Sequence, residues 1–272
     1  MILRTVPLSR RLAAETLGTG ILTLVLIGSG IQAAALSQDG GVRLLANVTA
    51  SVCALGVLIA LLAPVSGAHL NPLVTAGIWW TGRGGGQPLR GREAAGYAVA
   101  QLAGAVGGAA LADAMFGRAA LGPAHQVRQG PGAWTGEVVA TGVLLLVVFG
   151  LTRGGRQRYA PAAVAGWITA AVWGTASGGF ANPALTVGRA LSDTYTGIAP
   201  GSVPGFVLAQ GLGAVAGLGL VRLLFGPPVR PSADLPGPTG RPQRAEPAGP
   251  ADRAQPVERT RPAGAPGLSP AS

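Results

Sequence analysis

The sequence predicts an all-α membrane protein in which six transmembrane helices and two re-entrant half-helices form an inverted repeat. Three observations lead there. Of 272 residues, 49% are hydrophobic and only 11% charged, with a mean hydropathy of +0.44, whereas a soluble domain carries about 25% charged residues. Six apolar stretches reach the roughly 20 residues that a helix needs to cross the hydrocarbon core. A ten-residue segment containing Asn-Pro occurs twice, once in each half of the chain.

The six stretches cover about residues 12–36, 42–63, 93–116, 134–152, 159–177 and 203–225. The first follows Arg4, Arg10 and Arg11 as a signal peptide would, but it is long enough to span and no clear cleavage site follows it. An even number of spans places both termini on one side. Arg83, Arg90 and Arg92 lie between spans two and three, and Arg153, Arg156 and Arg158 between spans four and five; the opposite side holds Arg43, Arg118, Arg128 and Arg189. Arginine excess in short loops marks the cytoplasmic side, so both termini are expected there, in a multi-pass protein of the cell inner (plasma) membrane. Two further apolar segments, 65–80 and 178–191, are too short to span and read as re-entrant. Irregular backbone at membrane depth is stable only inside protein or beside water, so two such segments in matching positions mark a pathway.

The repeat is explicit. Ser66-Gly-Ala-His-Leu-Asn-Pro-Leu-Val-Thr75 aligns with Ser177-Gly-Gly-Phe-Ala-Asn-Pro-Ala-Leu-Thr186, an offset of 111 residues between Asn71 and Asn182. The segments around Gln101 and Gln210 match as well, and Glu15 in span one has its counterpart in Glu137 of span four. Three spans per half is odd, so the halves must be oppositely oriented. The expected organisation is a cytoplasmic N-terminus (1–11), a first repeat (12–116), an outer loop (117–133), a second repeat (134–226) and a disordered Pro-rich cytoplasmic tail (227–272), too poor in large apolar residues to offset its ordering entropy.

Asn-Pro carries a mechanism. Asn is a good N-cap, and Pro at the first helical position has φ preset and lacks an N–H that would be orphaned anyway. Each motif therefore opens a half-helix. With both starting at the midplane, two positive dipole ends face the path, and the Asn71 and Asn182 amides offer donors to a passing oxygen while disfavouring cations. Glu15 and Glu137 sit within spans, where a charge costs at least about 2.5 kcal/mol, so each must face protein and find partners; a proton relay is the sharper alternative. His69, two residues before Asn71, is expected to support the loop, and His125 in the outer loop to be inert.

Other classes are disfavoured. All 20 basic residues are Arg and the net charge is +10, yet no base-reading motif accompanies them. Cys53 is the sole cysteine, so neither an internal disulfide nor a cysteine metal cluster can form. No cofactor and no metal are expected, because the glycines of spans three and six (Gly96, Gly104, Gly107, Gly108, Gly211, Gly213, Gly217) belong to no strand-helix unit and instead permit close helix crossings. With two His, one Cys and no nucleophile-base set, an enzyme is remote. A secondary transporter shares the inverted repeat, but no Asp, Glu or Lys stands beside either Asn-Pro turn to couple an ion.

The duplicated motif, the span count and the repeat resemble the major intrinsic protein family of aquaporins and glycerol facilitators, over about residues 10–226. The resemblance implies a passive channel for water or small uncharged solutes, assembled as a homotetramer with one pore per subunit. The family's paired Asn-Pro-Ala motifs correspond to Asn71-Pro72-Leu73 and Asn182-Pro183-Ala184, with Leu73 departing from the pattern. Most members place Arg directly after the second motif; here that residue is Leu185. The other filter positions implied by ungapped spacing are Ser51, Ala170 and Gly179, with Phe180 adjacent. All are small or apolar, which implies a wide, weakly polar constriction. Arg189 lies one turn beyond Leu185 and either serves the filter from the vestibule or supports the end of the half-helix and pairs with Asp193. The run from Asn182 to Arg189 resembles a bacterial branch associated with arsenic resistance, which implies uncharged arsenite as a solute. In the family, residues equivalent to Glu15 and Glu137 hold carbonyls of the re-entrant loops.

Overall fold

The computed structural model describes residues 6–82 and 89–226. The expected tail, Arg83 and the first five residues of the expected N-terminal segment lie outside the described residues. The helices in chain order are α1 (Leu8–Leu36), α2 (Gly40–Ser66), α3 (Pro72–Gly82), α4 (Gly91–Met115), α5 (Pro131–Arg153), α6 (Ala160–Gly174), α7 (Pro183–Ala190) and α8 (Val203–Phe225). Local chemistry sets their ends. Asp39 Oδ1 accepts from Val42 N at 2.8 Å to cap α2, and Gly67, with φ at 91°, closes it in the left-handed region. The Glu93 carboxylate reaches back to Arg90 N at 2.8 Å to open α4.

Among the described residues, five helices are long and apolar enough to cross a membrane: α1, α2, α4, α5 and α8, the last counted from Pro200. The span expected over 159–177 is shorter than predicted. Its α-helix, α6, has 15 residues, roughly 22 Å at 1.5 Å per residue, against a hydrocarbon core of about 30 Å. A 3₁₀ turn over Gln157–Tyr159 precedes it, and Thr175 leaves helical geometry after it. Both re-entrant segments form half-helices, α3 with 11 residues and α7 with 8.

Packing follows the sequence repeat. Helix α1 packs on α4 and α2, as α5 packs on α8 and α6, and the two halves meet along α2 and α6. Glycine sets the tightest contacts. A Cβ at Gly104 would strike the Thr16 carbonyl and one at Gly108 the Gly20 carbonyl; in the other half, Gly213 would meet the Val138 carbonyl and Gly217 the Gly142 carbonyl. These backbones approach until no side chain fits between them. Gly107 and Gly211 face open space instead. Large apolar side chains such as Val57, Leu61, Val99, Leu208, Leu212 and Val215 remain exposed, as a bilayer-facing surface requires.

Substituting Gly108 or Gly217 with Val should force α1 from α4, or α5 from α8, and cost at least the roughly 1–3 kcal/mol typical of overpacking. A lowered thermal unfolding midpoint in detergent would register it, whereas Gly107→Val should leave the midpoint near wild type.

Candidate functional site: the paired Asn-Pro turns

The two turns before α3 and α7 share one unusual backbone. Gly67, Ala68 and Leu70 have positive φ in the first; Gly178, Gly179 and Ala181 match them in the second. Three of these six are not glycine, so the left-handed geometry must be imposed by the surroundings. Buried carboxylates impose it. Glu15 accepts His69 N at 3.0 Å and Leu70 N at 2.7 Å, and Glu137 accepts Phe180 N at 2.8 Å and Ala181 N at 2.9 Å. Gln101 Nε2 joins Glu15 at 2.8 Å and Gln210 Nε2 joins Glu137 at 2.6 Å, each Gln also donating to a threonine hydroxyl, Thr75 or Thr186, at 3.0 Å.

This corrects the expected partner of both glutamates. A carboxylate accepts, so it binds the N–H groups of the turn and not the carbonyls. Because N–H and C=O point oppositely across a trans peptide, gripping the N–H of residues 69, 70, 180 and 181 turns the carbonyls of 68, 69, 179 and 180 away from the carboxylates. Residues 67–71 and 178–182 line one large cavity, which these carbonyls can reach.

Each Asn caps its own half-helix and ties it to the other. Asn71 Oδ1 accepts Leu73 N at 2.9 Å, and Asn182 Oδ1 accepts Ala184 N at 3.0 Å. Asn71 Nδ2 donates to the Ala181 carbonyl and Asn182 Nδ2 to the Leu70 carbonyl, both at 2.7 Å. One N–H of each amide is thereby used, and the second remains for the cavity that both residues line. Ala184 is fully buried, Pro72 and Pro183 are half-buried, and Leu73 faces a separate lateral groove between α3 and α8.

The cavity holds about 780 Å³ and runs past both Asn residues, from Gln157 and Arg158 at one end to Gln126, Arg128 and Tyr195 at the other. Its walls are mostly apolar, with Leu22, Leu26, Ile59, Leu144, Val164 and Ile168 among them. Ser51, Gly179, Phe180, Leu185 and Arg189 line it. The Ser51 hydroxyl donates back to the Asn47 carbonyl at 2.7 Å. Ala170 does not line it: this residue is exposed, on the face of α6 opposite Val164, Ile168 and Val172. Counting back from Asn182 without a gap therefore lands on the wrong face of α6, because the chain leaves helical geometry at Thr175 between the two residues.

Arg189 does not pair with Asp193. Its Nε donates to the Thr196 carbonyl, and its guanidinium lies 3.3 Å from the Phe180 ring centroid. Asp193 instead accepts His125 N and faces His125 Nδ1, both at 3.0 Å, so His125 has a partner at the surface. His69 meets the Thr75 hydroxyl at 3.0 Å and stacks on Tyr97 at 4.9 Å; among the described residues no cluster of three metal-ligating side chains occurs. Gln101 and Gln210 were legible as polar residues at matching positions of spans three and six. Arg128, Tyr195 and Thr196, in irregular loops, carried no comparable signal.

A family model described as major intrinsic protein matches residues 2–172. The chain belongs to the major intrinsic protein family. Its members are channels and not enzymes. The aquaglyceroporin AqpS of Rhizobium meliloti is 44% identical over 220 residues, covering 81% of this chain and 92% of that protein. The propanediol uptake facilitator PduF of Citrobacter freundii is 32% identical over 255 residues, covering 78% and 91%. The X-ray structure of the aquaglyceroporin from Plasmodium falciparum superposes with a TM-score of 0.62 at 19% identity, covering 80% of this chain and 97% of that one, which shows the fold.

Replacing Glu137 with Ala should leave the N–H groups of Phe180 and Ala181 without an acceptor, each costing about 1–3 kcal/mol, and lower the unfolding midpoint clearly. Were Glu137 a proton relay as well, Glu137→Gln would in addition change the pH dependence of flux. At the surface, the hydrogen bonds from His125 hold the Asp193 carboxyl below its usual pKa of 3.8. That stabilisation is complete above the unfolded pKa and is lost as pH falls through the lower folded value. A shallower acid-unfolding curve for Asp193→Asn than for wild type would check it.

Proposed function

We propose that this chain is a passive channel for water and small uncharged solutes, favouring glycerol-like polyols and metalloid hydroxides such as arsenite. The observation that carries the reading is the continuous, largely apolar cavity crossed at its middle by two Asn amides tied to opposite turns. A neutral, oxygen-bearing solute meets a donor from each Asn and carbonyl acceptors beside it, while the positive ends of the two half-helices oppose a cation. Similarity to an aquaglyceroporin and to a propanediol facilitator supports a solute larger than water.

Selectivity in this reading is set at Ser51, Gly179 and Leu185, where most of the family has one guanidinium. Leu185 is buried against the cavity and supplies no donor. Phe180, next to Gly179, and Arg189, one turn beyond Leu185, shape the vestibule. The channel works as a homotetramer in the inner (plasma) membrane with both termini cytoplasmic, a separate pore serving each subunit.

Stopped-flow light scattering on proteoliposomes tests this. Glycerol and arsenite should enter well above the rate of empty liposomes, and Leu185→Arg should slow both by about tenfold or more, a barrier increase of ~1.4 kcal/mol. Water passage without either solute would place the narrowing at Phe180 and Arg189 and defeat the wide-filter assignment.

A further inference from the structure

Two arginines, Arg189 buried and Arg128 half-buried, share one aromatic ring at one end of the cavity. Arg189, on the last turn of α7, is only 9% exposed, and its Cζ lies 3.3 Å from the Phe180 ring centroid. Arg128, from the loop between α4 and α5, has its Cζ 5.4 Å from the same centroid. These two distances keep the guanidinium centres within about 9 Å of each other. Both residues line the cavity.

Their positions are fixed from behind. Arg189 Nε donates to the Thr196 carbonyl, Arg128 Nε to the Gly197 carbonyl at 2.9 Å, and Arg128 Nη2 to Gln126 Oε1 at 2.7 Å. Phe180 is itself braced edge-on against Phe206 at 5.0 Å. The remaining donors, both Nη groups of Arg189 and Nη1 of Arg128, have no acceptor among the described residues. None of them is sealed in the interior, so the Arg189 side chain, nine-tenths buried, turns its free donors to the cavity.

Charge is unbalanced there. Among the described residues neither arginine forms an ion pair. The carboxylate of Glu137, behind the same turn, is occupied by Phe180 N, Ala181 N and Gln210. Asp193 faces His125 at the surface. Two like charges held close in a partly dehydrated mouth repel, and a small anion with several oxygens between them relieves that repulsion while taking up the free donors.

We propose that Arg128 and Arg189, bracing Phe180, form a binding site for a small oxyanion at this mouth of the cavity. The ligand is of carboxylate or phosphate size, gripped through its oxygens. The apolar walls beyond the site oppose entry of its charge, so the bound anion stands in the way of neutral solutes and slows them competitively. That consequence rests on the channel reading; the binding site does not.

Thermal unfolding of the purified full-length protein in detergent tests the site, with acetate or inorganic phosphate titrated at ionic strength held constant by chloride. Wild type should show a saturable rise in midpoint above the chloride baseline, Arg128→Gln should lose it, and Arg128→Lys should keep part of it. No rise beyond chloride, or an equal rise in Arg128→Gln, would overturn the proposal; should Arg128→Gln fail to fold, wild type and Arg128→Lys decide it. In proteoliposomes the same anions should reduce wild-type glycerol entry several-fold at saturation. Glycerol entry without oxyanion reports on the channel reading alone, so a midpoint rise with no glycerol entry would sink that reading and leave the site standing.

Discussion

Two buried carboxylates gripping backbone N–H groups are the constraint on which the rest of this protein depends. Turns that run through three left-handed residues each, three of the six with a Cβ in the way, do not persist unaided in an apolar medium. Glu15 and Glu137 hold them by accepting two consecutive amides each. Burying a carboxylate is tolerable because every donor converging on it is fixed, and removing it would strand those donors together. Once the amides are held, the carbonyls have one direction left, and the Asn-Pro helices start where the turns end.

Helix packing makes this arrangement possible. The glutamates stand on α1 and α5, while the glutamines that complete their shells stand on α4 and α8. Carboxylate and amide meet only because Gly104 and Gly108, with Gly213 and Gly217, let those helix backbones come into contact. The small-residue crossings and the polar shells are therefore one device, used twice with opposite orientation.

Where the halves differ, the difference falls on the pathway. The residue before Leu70 is His69, hydrogen-bonded to Thr75; its repeat partner before Ala181 is Phe180, which instead carries two guanidinium groups. One end of the cavity is consequently electropositive and aromatic. Symmetry supplies the frame, and the exceptions to it supply the chemistry of the mouth.

Much of this was legible in the sequence, because a bilayer accepts few solutions: apolar length marks the spans, and a repeated Asn-Pro between short apolar runs marks two half-helices and the residues that cap them. Residues that act within their own helix, such as Asn71 and Asn182 as caps, were readable for the same reason. Contacts between elements were not. Ala170 was misplaced because the path from α6 to Asn182 leaves helical geometry at Thr175, so a residue count does not say which face is reached, and Arg128 was invisible because a loop residue has no period to betray the surface it reaches. The glutamates were recognised as buried, but which groups they would hold was decided only when α1 met the first turn and α5 the second. By itself the sequence determined the fold and the residues at its centre, since burial and helix capping are local matters of composition and spacing. Only the tertiary structure decided which side chains share the mouth of the cavity, since that depends on where loops distant in sequence come to rest.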